Sequence, residues 1–328
     1  MVVILKELIF VWRGKAIFMS KQKTLRDAFW DEVYEYARKD SDVVIVSADL
    51  AAPSLDKFRK DMPSQFISVG IAEQNAIEIS AGLALTGKKV FVYACAPFIT
   101  LRSYEQIRLL LAGMNLPVTV VGQGGGFSYF EFGPTHHVLE DIGVMRMLPH
   151  MRMFCLSDGM MAKSIVRNSM QKESPEYIRI DRLAPNEIYK SKENVDLNNG
   201  FNVINEGAQI AIIATGNMVH NALGAAEVLK EKGKDVKVID LFKIPIKVEE
   251  LVKEIRGLSK IVTIEEHALQ CGIGSMICEI LVDNKLYIDV KRLAVNSSEG
   301  YCYRYGGREH MQKIYGLDIN NIVKTIID

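Results

Sequence analysis

The sequence predicts an α/β protein of two doubly wound domains with mainly parallel sheets. Three observations carry this prediction. Short apolar, β-branched runs alternate with segments of helical periodicity, the pattern of a parallel sheet covered on both faces by helices. A polar stretch interrupts the alternation once. The chain has 328 residues, 48% of them hydrophobic, enough to bury two domain cores.

Taken in order, Leu25, Phe29, Val33, Tyr34 and Ala37 recur at helical spacing and predict an amphipathic helix over 24–40. Val43-Val44-Ile45-Val46 reads as a buried strand, with Ser47-Ala48-Asp49-Leu50 leaving its carboxyl end. Phe66-Ile67-Ser68-Val69 is a short strand, and Ala76, Ile77, Ile79, Ala81, Leu83 and Ala84 mark a helix packed on both sides. Strands at 89–93, 118–121, 153–156 and 176–180 then alternate with helices at 104–112, 142–148 and 159–170. Residues 185–206 turn polar, with Lys190, Lys192 and Asn198-Asn199-Gly200, and are expected to link the domains. Residues 207–328 begin a smaller second domain: a strand at 209–214, a helix carrying Ala222, Ala226 and Leu229, and strands at 237–241 and 260–264.

Composition narrows the function. Forty basic and forty acidic side chains balance, and no Lys/Arg cluster stands out, so the footprint of a nucleic-acid binder is missing. Five widely spaced cysteines without a CxxC pair read as reduced thiols of a cytoplasmic protein, not a disulfide frame or zinc site. Residues 1–18 mix Val2-Val3-Ile4-Leu5 with Lys6, Glu7, Arg13 and Lys15. This fits neither a signal peptide nor a membrane span, which needs roughly 20 apolar residues. They are expected to be an extension ahead of the first domain, residues 19–184, with no membrane partner.

Glu73, in Val69-Gly70-Ile71-Ala72-Glu73-Gln74-Asn75-Ala76, stands where a strand gives way to a helix. A carboxylate there is poorly solvated and needs a partner. It either favours the helix N-terminus through the dipole, worth about 0.3–1 kcal/mol, or meets a ligand at the edge of an open sheet.

Further segments follow in a fixed order: Ala52-Pro53-Ser54, Ala96-Pro97-Phe98-Ile99-Thr100, Tyr104-Glu105-Gln106-Ile107-Arg108, Gly133-Pro134-Thr135-His136, Glu265-Glu266-His267 and Gly272-Ile273-Gly274-Ser275. From residue 19 onward the chain resembles the transketolase family, specifically the pyrimidine-binding domain and the C-terminal domain of a split transketolase, which implies a natural start at Met19. The resemblance implies that Glu73 hydrogen-bonds a ring nitrogen of the thiamine diphosphate aminopyrimidine, favouring the imino tautomer that takes the thiazolium proton. Burial, which raises a carboxyl pKa, would let Glu73 share that proton. Phe98 is then expected to stack on the pyrimidine, with Ile71 and Asp49 also at the cofactor and Asp49 near its thiazolium. His136 is implied as a proton-transfer group and substrate contact. His137 beside it is grouped with the substrate contacts, or faces solvent or a partner. Ser54 and Arg182 match substrate-phosphate positions, with Arg179 competing for the same role. Leu101 departs from a second aromatic ring common in the family. Glu105 and Arg108 suit packing or a subunit contact, and His267 suits structure or an interface.

Two positions break the family pattern in the substrate loop. Gly124 stands where a histidine is usual and Phe132 where an aspartate is usual. Losing both polar groups fits a pocket altered for a deoxygenated or otherwise unusual sugar; alternatively Phe127, Tyr129 and Phe132 only fill space around a Gly-rich turn. The Gly-Asp-Gly motif that binds the diphosphate and Mg2+ is missing from the sequence, so the resemblance places these on an N-terminal transketolase subunit, with no metal held by this chain, in an α2β2 assembly. The activity implied is ketol transfer between sugars. Relatives of deoxyxylulose phosphate synthase or of pyruvate dehydrogenase beta subunits, and a non-catalytic assembly or regulatory partner, are the alternatives.

Overall fold

The computed structural model describes residues 23–182 and 186–328, with the backbone alone of 11–12 and 15–16. Within the expected extension, β1 (Val11–Trp12) pairs antiparallel with β2 (Lys15–Ala16). The expected start at Met19 and the boundary at 184/185 lie outside the described residues.

The first alternating block supplies β3 (Val43–Ser47), β4 (Phe66–Ser68), β5 (Lys89–Cys95), β6 (Thr119–Gln123), β7 (Arg152–Cys155) and β8 (Glu176–Ile180). The second supplies β9 (Phe201–Asn205), β10 (Ile210–Ala214), β11 (Val236–Leu241), β12 (Lys243–Ile244), β13 (Lys260–Ala268) and β14 (Asp289–Val295). They form a seven-stranded sheet ordered β12-β7-β8-β6-β5-β3-β4 and a five-stranded sheet ordered β14-β13-β10-β11-β9. Every pairing in these two sheets is parallel except those of the edge strands β12 and β9.

Alternation along the central strands explains why the first sheet is covered on both faces. Val46, Val92 and Val120 pack with Ala76, Ile77 and Ala81 of the helix Glu73–Leu85. Ile45, Phe91, Tyr93 and Val121 point the other way, into Phe29, Trp30 and Val33 of the helix Leu25–Ala37 and Ile165 of the helix Gly159–Ser169. Trp30 anchors that side, edge-on to Phe29 at 5.2 Å and to Tyr93 at 4.8 Å.

Three local departures from the sequence expectation have physical causes. Residues 201–205, expected in the linker, form β9, because an antiparallel edge strand needs only one buried face and tolerates Asn202 and Asn205. The helix Pro53–Asp61 was not anticipated, yet Pro53 begins it and Leu55 and Phe58 bury one side. The helix expected over 104–112 is instead the short Tyr104–Gln106 between wide, π-type turns at Phe98–Arg102 and Ile107–Ala112. At the first of these the Thr100 hydroxyl donates back to the Ala96 carbonyl at 2.6 Å.

The two sheets share structure. After β11 the chain crosses back so that β12 pairs with β7, Lys243 opposite Phe154 and Ile244 opposite Met153. One apolar cluster runs from Val120 and Met153 to Ile239 and Ile261.

Candidate active site

Five parallel strands, in the spatial order β8-β6-β5-β3-β4, deliver the sequence-predicted residues at one edge of the sheet. Chain order reverses around β3: β4 lies on one side of it and β5 on the other. The crevice beyond their carboxyl ends is where an open α/β sheet binds ligands. Asp49 follows β3, exposed and with φ +48°. Phe98 follows β5, Glu73 follows β4, the loop 124–137 follows β6 and Arg182 follows β8.

Glu73 is the first residue of its helix and only 3% exposed. The partner it finds within the chain is Arg102, whose Nη1 donates to Oε2 at 2.7 Å. The same guanidinium lies over the Phe98 ring, its carbon 4.5 Å from the centroid. Sequence reasoning missed Arg102; its signal is the four-residue spacing from Phe98 on a helical turn, which brings the two side chains together. Ile71, just before the helix, is 77% exposed.

Around this pair stands an aromatic wall. The His136 ring meets Phe98 edge-on at 5.2 Å, lies tilted against Phe132 at 4.8 Å and is 6.0 Å from Tyr129. Its Nδ1 is 2.9 Å from the Thr135 hydroxyl, and partial burial lowers its pKa, so the imidazole is neutral at neutral pH. Gly124 has φ +98°, and a Cβ there would lie 2.2 Å from the Tyr129 ring carbons. Tyr129, its hydroxyl pushed up to about 12 by burial, thus fills the space into which a side chain at 124 would project. Phe132 stays 54% exposed at the mouth.

Other expected residues fall elsewhere. His137 does not face solvent: it is 6% exposed, edge-on to Phe127 at 5.2 Å, with Nε2 unpartnered. Burial lowers its pKa, partly opposed by Glu266. The backbone turns it inward while its neighbour turns out. Ser54 is 3% exposed and donates to Asp31 at 2.6 Å, a carboxylate that disfavours a phosphate at the same hydroxyl. Arg179 is buried, donating to Asp141 at 2.7 Å and to the carbonyls of Val138 and Glu266, whereas the Arg182 side chain is partly exposed. Arg182 lies over Tyr129 at 4.8 Å and pairs with Glu131, 42% exposed. His267 is structural, accepting from the Gly143 N–H at 3.1 Å and donating to the Ala268 carbonyl.

Behind the wall a buried ion network ties the sheets together. Arg308 bonds Glu266 through Nε and Nη2, at 2.9 and 2.7 Å, and Asp181 at 2.5 Å. Glu266 also accepts from Gln312 and from the Phe127 N–H, and Asp181 from Ser128. Burial pushes the Glu266 carboxyl up, but Arg308 and these donors outweigh it and hold it below its usual range. The loop bearing Phe127 to His137 is therefore anchored by the second domain.

Comparison with known proteins shows the family. Residues 21–186 match the family described as transketolase, pyrimidine binding domain, and residues 200–322 the transketolase, C-terminal domain. Over 305 residues the chain is 35% identical to one of the subunits of the apulose-4-phosphate transketolase of Phocaeicola vulgatus, covering 92% of this chain and 96% of that one. Over 303 residues it is 32% identical to the 6-deoxy-6-sulfo-D-fructose transketolase subunit SqwH of a Clostridium species, covering 92% of each. A structure titled split gene transketolase, inactive beta4 tetramer, superposes with a TM-score of 0.80 at 30% identity over 92% of this chain and 96% of that one.

Proposed function

The chain belongs to the transketolase family, and we propose that it is the pyrimidine-binding subunit of a cytoplasmic, two-chain transketolase that moves a two-carbon ketol unit between sugars. The observation that carries this reading is the buried Glu73 carboxylate and the Phe98 ring, both in contact with the Arg102 guanidinium at the turning point of the sheet. A planar heterocycle with a ring nitrogen needs a hydrogen-bonding carboxyl at its edge and an apolar face beneath it, and these two side chains supply both. They fit the aminopyrimidine half of thiamine diphosphate.

Among the described residues no group of three His, Cys, Asp or Glu is placed to hold a metal ion, and the sequence lacks Gly-Asp-Gly. A separate N-terminal transketolase subunit would carry the diphosphate and Mg2+, in an α2β2 complex; the relatives named as transketolase subunits support this division. When bound, thiamine diphosphate supplies the carbon nucleophile that accepts the ketol unit. Glu73 holds a proton at the ring nitrogen, and Phe98, with Asp49 and Ile71 along the same crevice, frames the cofactor. Neutral His136 exchanges a proton with the sugar hydroxyl or carbonyl at the bond being made or broken. Arg182 leaves Glu131 for an anionic substrate group, a guanidinium being suited to bidentate contact.

The substrate is a sugar with fewer hydroxyls, or hydroxyls differently placed, facing Tyr129 and Phe132. Gly124 and Phe132 bring no polar side chain to this wall, and the two relatives above are named for different, unusual sugars. Assaying the reconstituted complex on deoxy ketose and ordinary ketose phosphates tests this. Preference for the deoxy substrate supports the reading, and strong activity on ordinary ketose phosphates beside weak activity on deoxy ones overturns it.

A further inference from the structure

The cation beside Glu73 meets the same two demands as the heterocycle assigned there. Arg102 presents a planar, delocalised group with N–H donors at its edge, one 2.7 Å from the buried carboxylate, and a face 4.5 Å from the Phe98 centroid. We propose that Arg102 occupies the aminopyrimidine seat in the cofactor-free subunit and is displaced when the cofactor docks. This rests on the assignment of Glu73 and Phe98 to the pyrimidine.

Three features equip Arg102 for that part. Its side chain is 47% exposed while that of Glu73 is 4%, so the arginine reaches in from the solvent side and leaves without opening the core. Among the described residues Glu73 is its one hydrogen-bond acceptor, so a single contact must break. It also ends the wide turn Phe98–Arg102, next to Leu101, 39% exposed, so its departure disturbs no regular helix. A buried carboxylate without a partner is costly, and the free subunit avoids that state by keeping the arginine in place. The consequence is a competition: the fraction of subunits with the seat open divides the intrinsic dissociation constant of the cofactor.

The test is calorimetric titration of thiamine diphosphate with Mg2+ into the reconstituted two-subunit complex, comparing wild type with Arg102→Met. Methionine keeps apolar contact with Phe98 and removes the donors. The expected result is a dissociation constant about five- to tenfold lower in the variant. The free variant subunit should also melt below wild type, the difference vanishing in the cofactor-loaded complex. An unchanged or higher dissociation constant overturns the proposal, since Arg102 would then position Glu73 for the cofactor or be neutral. If Arg102→Met does not assemble, Arg102→Leu, which also lacks donors, is read by the same criterion. Glu73→Ala and Phe98→Ala in the same titration separate the layers. If neither weakens binding, the pyrimidine assignment fails and the proposal with it; if both do and the arginine variants bind no tighter, the seat stands and only the role of Arg102 falls.

Discussion

Glu73 was legible in the sequence because its difficulty is local: a carboxylate between an apolar strand and an Ala-rich helix must meet a partner. That the partner inside the chain is Arg102 was not legible, since it depends on how the turn after β5 folds over the helix start. His137 shows the same limit. Its burial is decided by Phe127, itself packed against Tyr315 at 5.5 Å, far along the chain. At this scale Glu73→Gln, which keeps the shape but cannot share a proton as a carboxyl does, should lower turnover of the reconstituted complex by about 10²- to 10⁴-fold. Its melting temperature should stay near that of wild type. His136, lowered by burial, makes a second prediction. A group needed in its neutral form loses activity only as pH falls below the ordinary imidazole range, so the acid limb of kcat/KM should lie below pH 6.5 and disappear in His136→Gln.

At the scale of elements, strands and helices with strong periodicity were read with little error, β3 and β5 through β8 above all, because burial on both faces leaves continuous apolar runs. The loop after β6 was read as a list of departures from a family pattern; the structure gives them one cause. Tyr129 packs where a side chain at 124 would go, so glycine at 124 and an aromatic at 129 form a coupled pair. Gly124→Ala should therefore cost about 1–3 kcal/mol by overpacking. In a double-mutant cycle by chemical denaturation, Tyr129→Ala should make that cost smaller. Additive losses would show that the two positions are independent.

For the whole molecule, residues 185–206 were expected to link two domains, and β12 and the Arg308 network add contacts between the two sheets that the linker reading did not include. Long-range ion pairs leave no periodic trace in a sequence, which is why this coupling was invisible. Arg308→Met removes the buried cation paired with Glu266 and Asp181 and should cost about 3–5 kcal/mol, read as one cooperative transition at lower denaturant. Stability should also depend on pH below about 7, through two buried groups of opposite sign. His137, lowered by burial, contributes stability above the unfolded imidazole value of 6.5 that is lost as pH falls through it. Asp240, fully buried against Ser157 and Tyr189, has its carboxyl pushed up to about 7. Its protonated form is favoured on folding, so stability declines as pH rises from about 4 toward 7. Asp240→Asn should remove that decline, raising the melting temperature at about pH 8 more than at about pH 5.

The proposed function makes this chain half of an active site that another chain completes. The most direct test is ketol transfer measured with thiamine diphosphate and Mg2+ for this polypeptide alone, for its mixture with the polypeptide carrying the Gly-Asp-Gly motif, and for the same mixture with Glu73→Gln. Turnover should appear only in the mixture and collapse with the substitution. Robust turnover by this polypeptide alone, or an undiminished rate in the Glu73→Gln complex, would contradict the assignment.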